Sequence, residues 1–234
     1  MKATTFHSLV LVCASFLVTP LAASAALITV PTSLNPGDHY RLAFVTSTTR
    51  DATSSSIADY NTFVNSVASS VPALAALGPW SAIASTATTD ARDNTLTNPN
   101  VGADASVPIY TLNNSLIDPT NVALWSSSGN GLLTALNIDE TGSLRSNTLV
   151  WTGSTFTGTG SAEAQLGTAN AREGLDANAN SAWIQYLTDT STLSKSLYAM
   201  SGVLTVVPEP STLALAAFGF MGLAVWGWRR SCAL

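Results

Sequence analysis

Charge is scarce in this sequence: 10% of its 234 residues are Asp, Glu, Lys or Arg, against about a quarter in an ordinary globular protein. Positive charge is scarcer still. Between Ala26 and Val207 six cations face thirteen anions, and the cations stand singly along the chain. No basic patch exists to neutralise a phosphate backbone, so nucleic acid is excluded as a partner. Cysteine is missing from the same stretch, with Cys13 and Cys232 standing near the two ends. That stretch therefore forms no disulfide and offers no thiolate to a metal. Beyond the first 25 residues His39 is the only histidine. A Ser–His–Asp or Cys–His site would have to use it, but no Gly-x-Ser-x-Gly elbow accompanies it. It follows the turn sequence Pro36-Gly37-Asp38 and is expected to be exposed in a loop. One histidine without cysteine also argues against zinc, which takes three or four such ligands. No metal and no cofactor are expected. No repeat at a fixed period is visible, which argues against solenoids and propellers.

What the chain does have is concentrated at its ends. Lys2 precedes the apolar run Ser8–Val18, and Ala23-Ser24-Ala25 follows with small residues at the two positions a signal peptidase accepts. Residues 1–25 read as a signal peptide cleaved after Ala25. Its apolar run is too short to serve as an uncleaved spanning anchor.

At the other end, Val207-Pro208-Glu209-Pro210-Ser211 is followed by Thr212, an uncharged run from Leu213 to Trp228, and then Arg229-Arg230. A helix over the 18 residues Ser211–Trp228 would be about 27 Å long, close to the roughly 30 Å of a bilayer's hydrocarbon core. Trp226 and Trp228 suit an interfacial belt, and the arginine pair should stay cytoplasmic, as in a type I membrane protein. The prolines keep this helix from running back into the preceding domain. Tripeptide, span and terminal cations together resemble the PEP-CTERM sorting signal. That resemblance implies recognition by an exosortase, a membrane-embedded enzyme of Gram-negative bacteria that make extracellular polysaccharide. It also implies a route through the inner membrane to the cell surface or matrix.

Between the termini, residues 26–206 suffice for one exported ectodomain with its own core; 207–234 form the tail. Strands are expected at Tyr40–Val45, Trp80–Ile83, Val107–Leu112, Leu149–Trp151 and Leu197–Val207, bounded mostly by Gly, Pro, Asn and Asp. Ile57, Tyr60, Val64 and Val67 recur at helical spacing, with Ser55 or Ser56 as cap. A weaker helical stretch covers Pro119–Trp125, and Ser85–Asn147 is rich in loops. The fold class is α+β, with a mixed, mainly antiparallel sheet, one or two helices and a long loop region. The succession from the Tyr40–Ser47 strand through Asp90–Asn94 and Val150-Trp151-Thr152-Gly153 to Leu197–Thr205 resembles a bacterial exported domain of C-type-lectin-like fold. The sequence departs from sugar-binding lectins in lacking their disulfides and their Glu-Pro-Asn and Trp-Asn-Asp calcium signatures.

Several constellations in the middle bear on function. Asp90, Asp93, Asn94, Asn98, Asn100 and Asp104 offer oxygen ligands within 15 residues, which suits calcium, yet such residues also gather in loops because they accept turn geometry. Asp139-Glu140 and Asp90/Asp93 are the acid pairs a polysaccharide hydrolase would use. Neighbours on a strand point to opposite faces, and Asp90, Arg92 and Asp93 suit a loop tied by a salt bridge and capping contacts. Trp80, Trp125, Trp151 and Trp183 are the residues that would stack on sugar rings, unless they belong to the core. The balance favours a non-enzymatic structural or adhesive surface protein. The alternatives are a glycan-binding module, with or without calcium, and a hydrolase.

Overall fold

The computed structural model describes residues 27–101, 106–125 and 131–207. Strands β1 (His39–Val45), β2 (Trp80–Ala82), β3 (Ile109–Thr111), β4 (Leu116–Asp118), β5 (Leu149–Trp151), β6 (Asn170–Leu175), β7 (Thr188–Thr190), β8 (Ser196–Ser201) and β9 (Leu204–Thr205) form one sheet. Its order is β4-β3-β1-β8-β5-β6-β7, with β2 on β8 and β9 on β1. The pairs β1/β3 and β5/β8 are parallel and the others antiparallel. The ectodomain is thus α+β with a mixed, mainly antiparallel sheet. The last long strand lies beside the first, with Ala43 opposite Met200.

β1 and β8 are central, and their sequences show why. A strand covered on both faces reads as an unbroken apolar run rather than an alternation. Successive side chains still point to opposite faces. Tyr40, Leu42 and Phe44 of β1 join Leu197 and Ala199 of β8 in one core, while Ala43 and Val45 join Tyr198 and Met200 in the other. The first core is roofed by helix α1 (Ile57–Ser69), which buries Tyr60, Val64, Val67 and Ala68. The second is roofed mainly by loop-borne side chains: Trp125, Leu132, Leu136, Trp183 and Ile184. The long loop region is therefore the second layer of the domain.

The abundance of asparagine has a structural use. The outer edge of β2 has no strand beside it, and side chains of α1 replace one. Asn65 Oδ1 accepts from Trp80 N at 2.9 Å and Asn61 Oδ1 from Ala82 N at 2.8 Å. Amides serve here because each carries both a donor and an acceptor.

The expected strands all occur, with shifted bounds. Leu197–Val207 is split at Gly202-Val203 into β8 and β9. Ser56 occupies the N-cap of α1, but its side chain makes no capping bond; instead the Ser54 hydroxyl donates to Asp59 Oδ2 at 2.6 Å. The weaker helix is a single turn, α4 (Asn121–Leu124), capped by Thr120, whose Oγ1 accepts from Ala123 N at 3.0 Å. Two more single turns, α2 (Pro72–Ala75) and α3 (Ala91–Asn94), and a 3-10 turn at Ser181–Trp183 complete the helices among the described residues. His39 is exposed as expected, though it opens β1 rather than lying in a loop. Among the described residues no helix is long and apolar enough to cross a membrane.

Candidate functional site

A cleft of about 580 Å3 opens between α3, α4 and the turn at 155–159. The α3 turn is held from both ends. Asp90 Oδ1 accepts from Gly160 N at 2.7 Å, and Arg92 N donates to the Gly158 carbonyl at 3.2 Å. Behind it the buried Arg41 guanidinium donates to the carbonyls of Thr95, Ser201 and Leu96. This anchors residues 95–97 to the sheet. Trp125 forms the floor: its Nε1 donates to Thr97 Oγ1 at 2.7 Å, and its ring lies against Gly158. Ring contacts continue inward from Trp125 to Trp183 at 6.1 Å and from Trp183 to Tyr198 at 5.6 Å. The floor is therefore an extension of the second core and shares its rigidity.

The lining is hydroxyl, amide and hydrocarbon: Thr120, Thr157, Asn100, Pro99, Val122 and Ala123 surround Trp125 and Arg92. Among the described residues no carboxylate lines it. Arg92 approaches Asp90 Oδ2 at 3.5 Å, its side chain is 21% exposed, and its Nε is buried with no acceptor. Contrast Arg172, whose Nε and Nη2 both donate to Ser161 Oγ at 3.3 Å. A guanidinium presents five donors in a fixed fork. Arg92 thus brings a partly exposed guanidinium to the edge of a polar, aromatic-floored hollow.

The ectodomain ends abruptly at its C-terminal side. Val206 N donates to the Asp38 carbonyl and its carbonyl accepts from Gly37 N, both at 2.9 Å, and its side chain is part of the first core. Val207, the last described residue, is exposed, and Pro208-Glu209-Pro210 follows it in the sequence. Residues 206–231 match the PEP-CTERM protein-sorting motif. No curated protein matches the chain. The PEP-CTERM match marks an exported protein, sorted to the cell envelope by an exosortase-type system. Pro208, Glu209, Pro210, Arg229 and Arg230 fall inside the matched segment but outside the described residues. The expected signal helix, its cleavage positions Ala23 and Ala25, and the expected C-terminal membrane helix also lie outside them.

Within the described domain, the acids singled out by sequence are held in hydrogen bonds. Asp139 Oδ1 accepts from Thr141 N and Ser143 N, each at 3.0 Å, and from the Thr141 hydroxyl at 2.7 Å. Glu140 accepts from Ser47 N at 2.9 Å and from the Ser47 hydroxyl. Asp93 accepts from Asn98, Asn98 Oδ1 accepts from Asn100 N at 2.9 Å, and Asn94 Oδ1 accepts from Asn61 Nδ2 at 2.9 Å. These oxygens are therefore already engaged; Asp104 lies outside the described residues. Among the described residues no three His, Cys, Asp or Glu side chains gather as a metal site. Trp80, Trp151 and Trp183 are core residues at 1%, 0% and 2% exposure, so stacking on a sugar ring is closed to them. Trp125, at 4%, belongs to the core and still borders the cleft.

One charged cluster has no local signature in the sequence. Lys195 contacts Glu173 and, at 2.8 Å, Asp189, with Nζ at 4.3 Å from the Trp151 ring centroid. The hydrogen bond from Lys195 holds the Asp189 carboxyl below its ordinary range. The pairing joins Glu173 of β6 to the residue that precedes β8, 22 positions away, a separation that no motif marks.

Asp118, buried at the end of β4, is pushed up from 3.8 to about 6 by its loss of hydration, opposed by a hydrogen bond from Thr120 N. A carboxyl raised on folding stabilises the fold while it is protonated. That contribution is complete below the unfolded value near 3.8 and is lost as pH rises through about 6. Asp118→Asn keeps an acceptor for Thr120 and removes the titration. The wild type should lose up to about 3 kcal/mol relative to Asp118→Asn between pH 4 and pH 7, read by urea denaturation at several pH values.

Proposed function

We propose that the ectodomain is a non-enzymatic adhesive or structural module of the cell surface or extracellular matrix, contacting polysaccharide through the Arg92–Trp125 cleft. The signal peptide is removed after Ala25 by signal peptidase. The run Ser211–Trp228 then holds the chain in the inner membrane, C-terminus cytoplasmic, until the exosortase-type enzyme acts. The ectodomain is C-type-lectin-like, a reading supported by the order strand, helix, long loop region and strands returning to β1.

The observation that carries the proposal is Arg92: a partly exposed guanidinium, 3.5 Å from Asp90, at the edge of a hydroxyl-lined hollow floored by Trp125. Sugars present vicinal hydroxyls to such donors and C–H faces to apolar walls. Asp90 beside Arg92 balances its charge locally, which favours an uncharged glycan. Glycoside hydrolysis needs two carboxyl groups flanking one bond, and the cleft's described lining supplies none.

Titration of the mature protein with neutral oligosaccharides of the host's own exopolysaccharide, followed by tryptophan fluorescence, tests this reading. Arg92→Ala should weaken binding at least about tenfold, the value of one charge-assisted hydrogen bond of roughly 1.5–3 kcal/mol. A chelator should leave binding unchanged. Equal binding by wild type and Arg92→Ala would remove the cleft from the proposal, and release of reducing ends on incubation would replace adhesion with hydrolysis.

A further inference from the structure

Very little chain separates the folded ectodomain from the membrane-spanning run. Val206 is fixed by two backbone hydrogen bonds to residues 37 and 38, and the run read as spanning begins at Ser211. Five residues reach at most about 17 Å when fully extended, and prolines favour a rise nearer 3.1 Å per residue. One headgroup layer takes about 5–8 Å of that reach. The remainder, about 10 Å, is no more than the diameter of one helix. The domain has no room to stand clear of the bilayer.

We infer that the face around the chain exit lies against the lipid headgroups for as long as the tail is in the membrane; this rests on the reading of Ser211–Trp228 as a spanning segment. That face carries a hollow of about 380 Å3 beside Leu34, His39, Ser106 and Pro108. Asp38 is the only carboxylate among its described lining residues, and its Oδ2 already accepts from Asn35 N at 2.8 Å. The composition of the face suits the position. An ectodomain with thirteen anions and six cations is repelled as a whole by anionic headgroups. A face bearing one engaged acid can approach them at little electrostatic cost. The processing enzyme then meets Pro208-Glu209-Pro210 inside the narrow gap between domain and lipid.

The test uses the whole mature chain, with Cys232 replaced by serine, in protein-free vesicles of phosphatidylcholine and phosphatidylglycerol carrying a headgroup nitroxide. A fluorophore is attached at Ser106→Cys, on the hollow, or at Leu144→Cys. Leu144 is exposed and bridges Ile138, next to Asp139, which is bridged to the far end of β1 at Val45; a strand the length of β1 spans about 23 Å. Quenching should be several-fold stronger at position 106 than at 144. A flexible insert of about 20 Gly/Ser residues between Val207 and Pro208, with a mean span near 25 Å, should erase the difference. A difference that survives the insert also supports apposition, through affinity of the face itself. Equal quenching without the insert, in a chain that co-floats with the vesicles, overturns the inference and reserves the face for a protein partner. A chain that fails to co-float overturns the spanning reading and this inference together.

Discussion

Lys195→Ala should cost about 3–5 kcal/mol of stability, a large part of the roughly 5–15 kcal/mol of an ordinary domain. The Lys195 and Glu173 side chains are 8% and 3% exposed, so removing the ammonium strands a carboxylate away from water. Among the described residues no other cation forms an ion pair with Glu173. The pair as a whole need not be stabilising. Two charges taken out of water lose hydration that their attraction only partly restores. The double substitution Lys195→Met/Glu173→Leu should therefore fall within about 1 kcal/mol of wild type. Equilibrium denaturation of the wild type, Lys195→Ala and the double variant reads both statements. A Lys195→Ala loss below about 1 kcal/mol would mean that solvent reaches the cluster and that it behaves as a surface pair.

The same cluster shows where sequence reading stops. β1, β8 and α1 are legible because their burial is written in adjacent or periodically spaced apolar residues: Tyr40–Val45, Leu197–Met200, and Tyr60, Val64 and Val67. β6 reads Asn-Ala-Arg-Glu-Gly-Leu and carries no such pattern. It is a strand because β5 and β7 hold it on both sides, Lys195 neutralises Glu173, and Gly174 lets the Trp183 carbonyl approach. Each of those causes lies at a distance along the chain. The cleft is similar. Asp90, Arg92 and Asp93 are recognisable as loop anchors, and Asp90 and Asp93 behave as such. That Arg92 comes to the edge of a cleft depends on Gly158, Gly160 and Trp125, whose proximity no local spacing reveals. The sorting tail differs because its meaning lies in linear order, and the match to residues 206–231 is correspondingly direct.

Gly158→Ala should destabilise the ectodomain by about 2–5 kcal/mol and weaken polysaccharide binding with it. Two separate costs combine there. Gly158 has φ +74°, where a side chain costs about 1–2 kcal/mol. An added Cβ would also stand 2.6 Å from the Trp125 ring, an overlap relieved only by moving the ring or the turn, at about 1–3 kcal/mol. Gly37 isolates the first cost. Its φ is +95° and nothing lies within 4 Å of the added carbon, so Gly37→Ala should lose only about 1–2 kcal/mol and bind as the wild type does. The difference between the two variants in thermal or urea unfolding measures how firmly Trp125 is held. If it is near zero, the ring shifts freely, and a floor that yields to one methyl group cannot hold Arg92 and the threonine hydroxyls in register for a sugar. If it approaches the full overlap cost, the rigidity of the cleft comes from the Trp125–Trp183–Tyr198 contacts that tie it to the sheet.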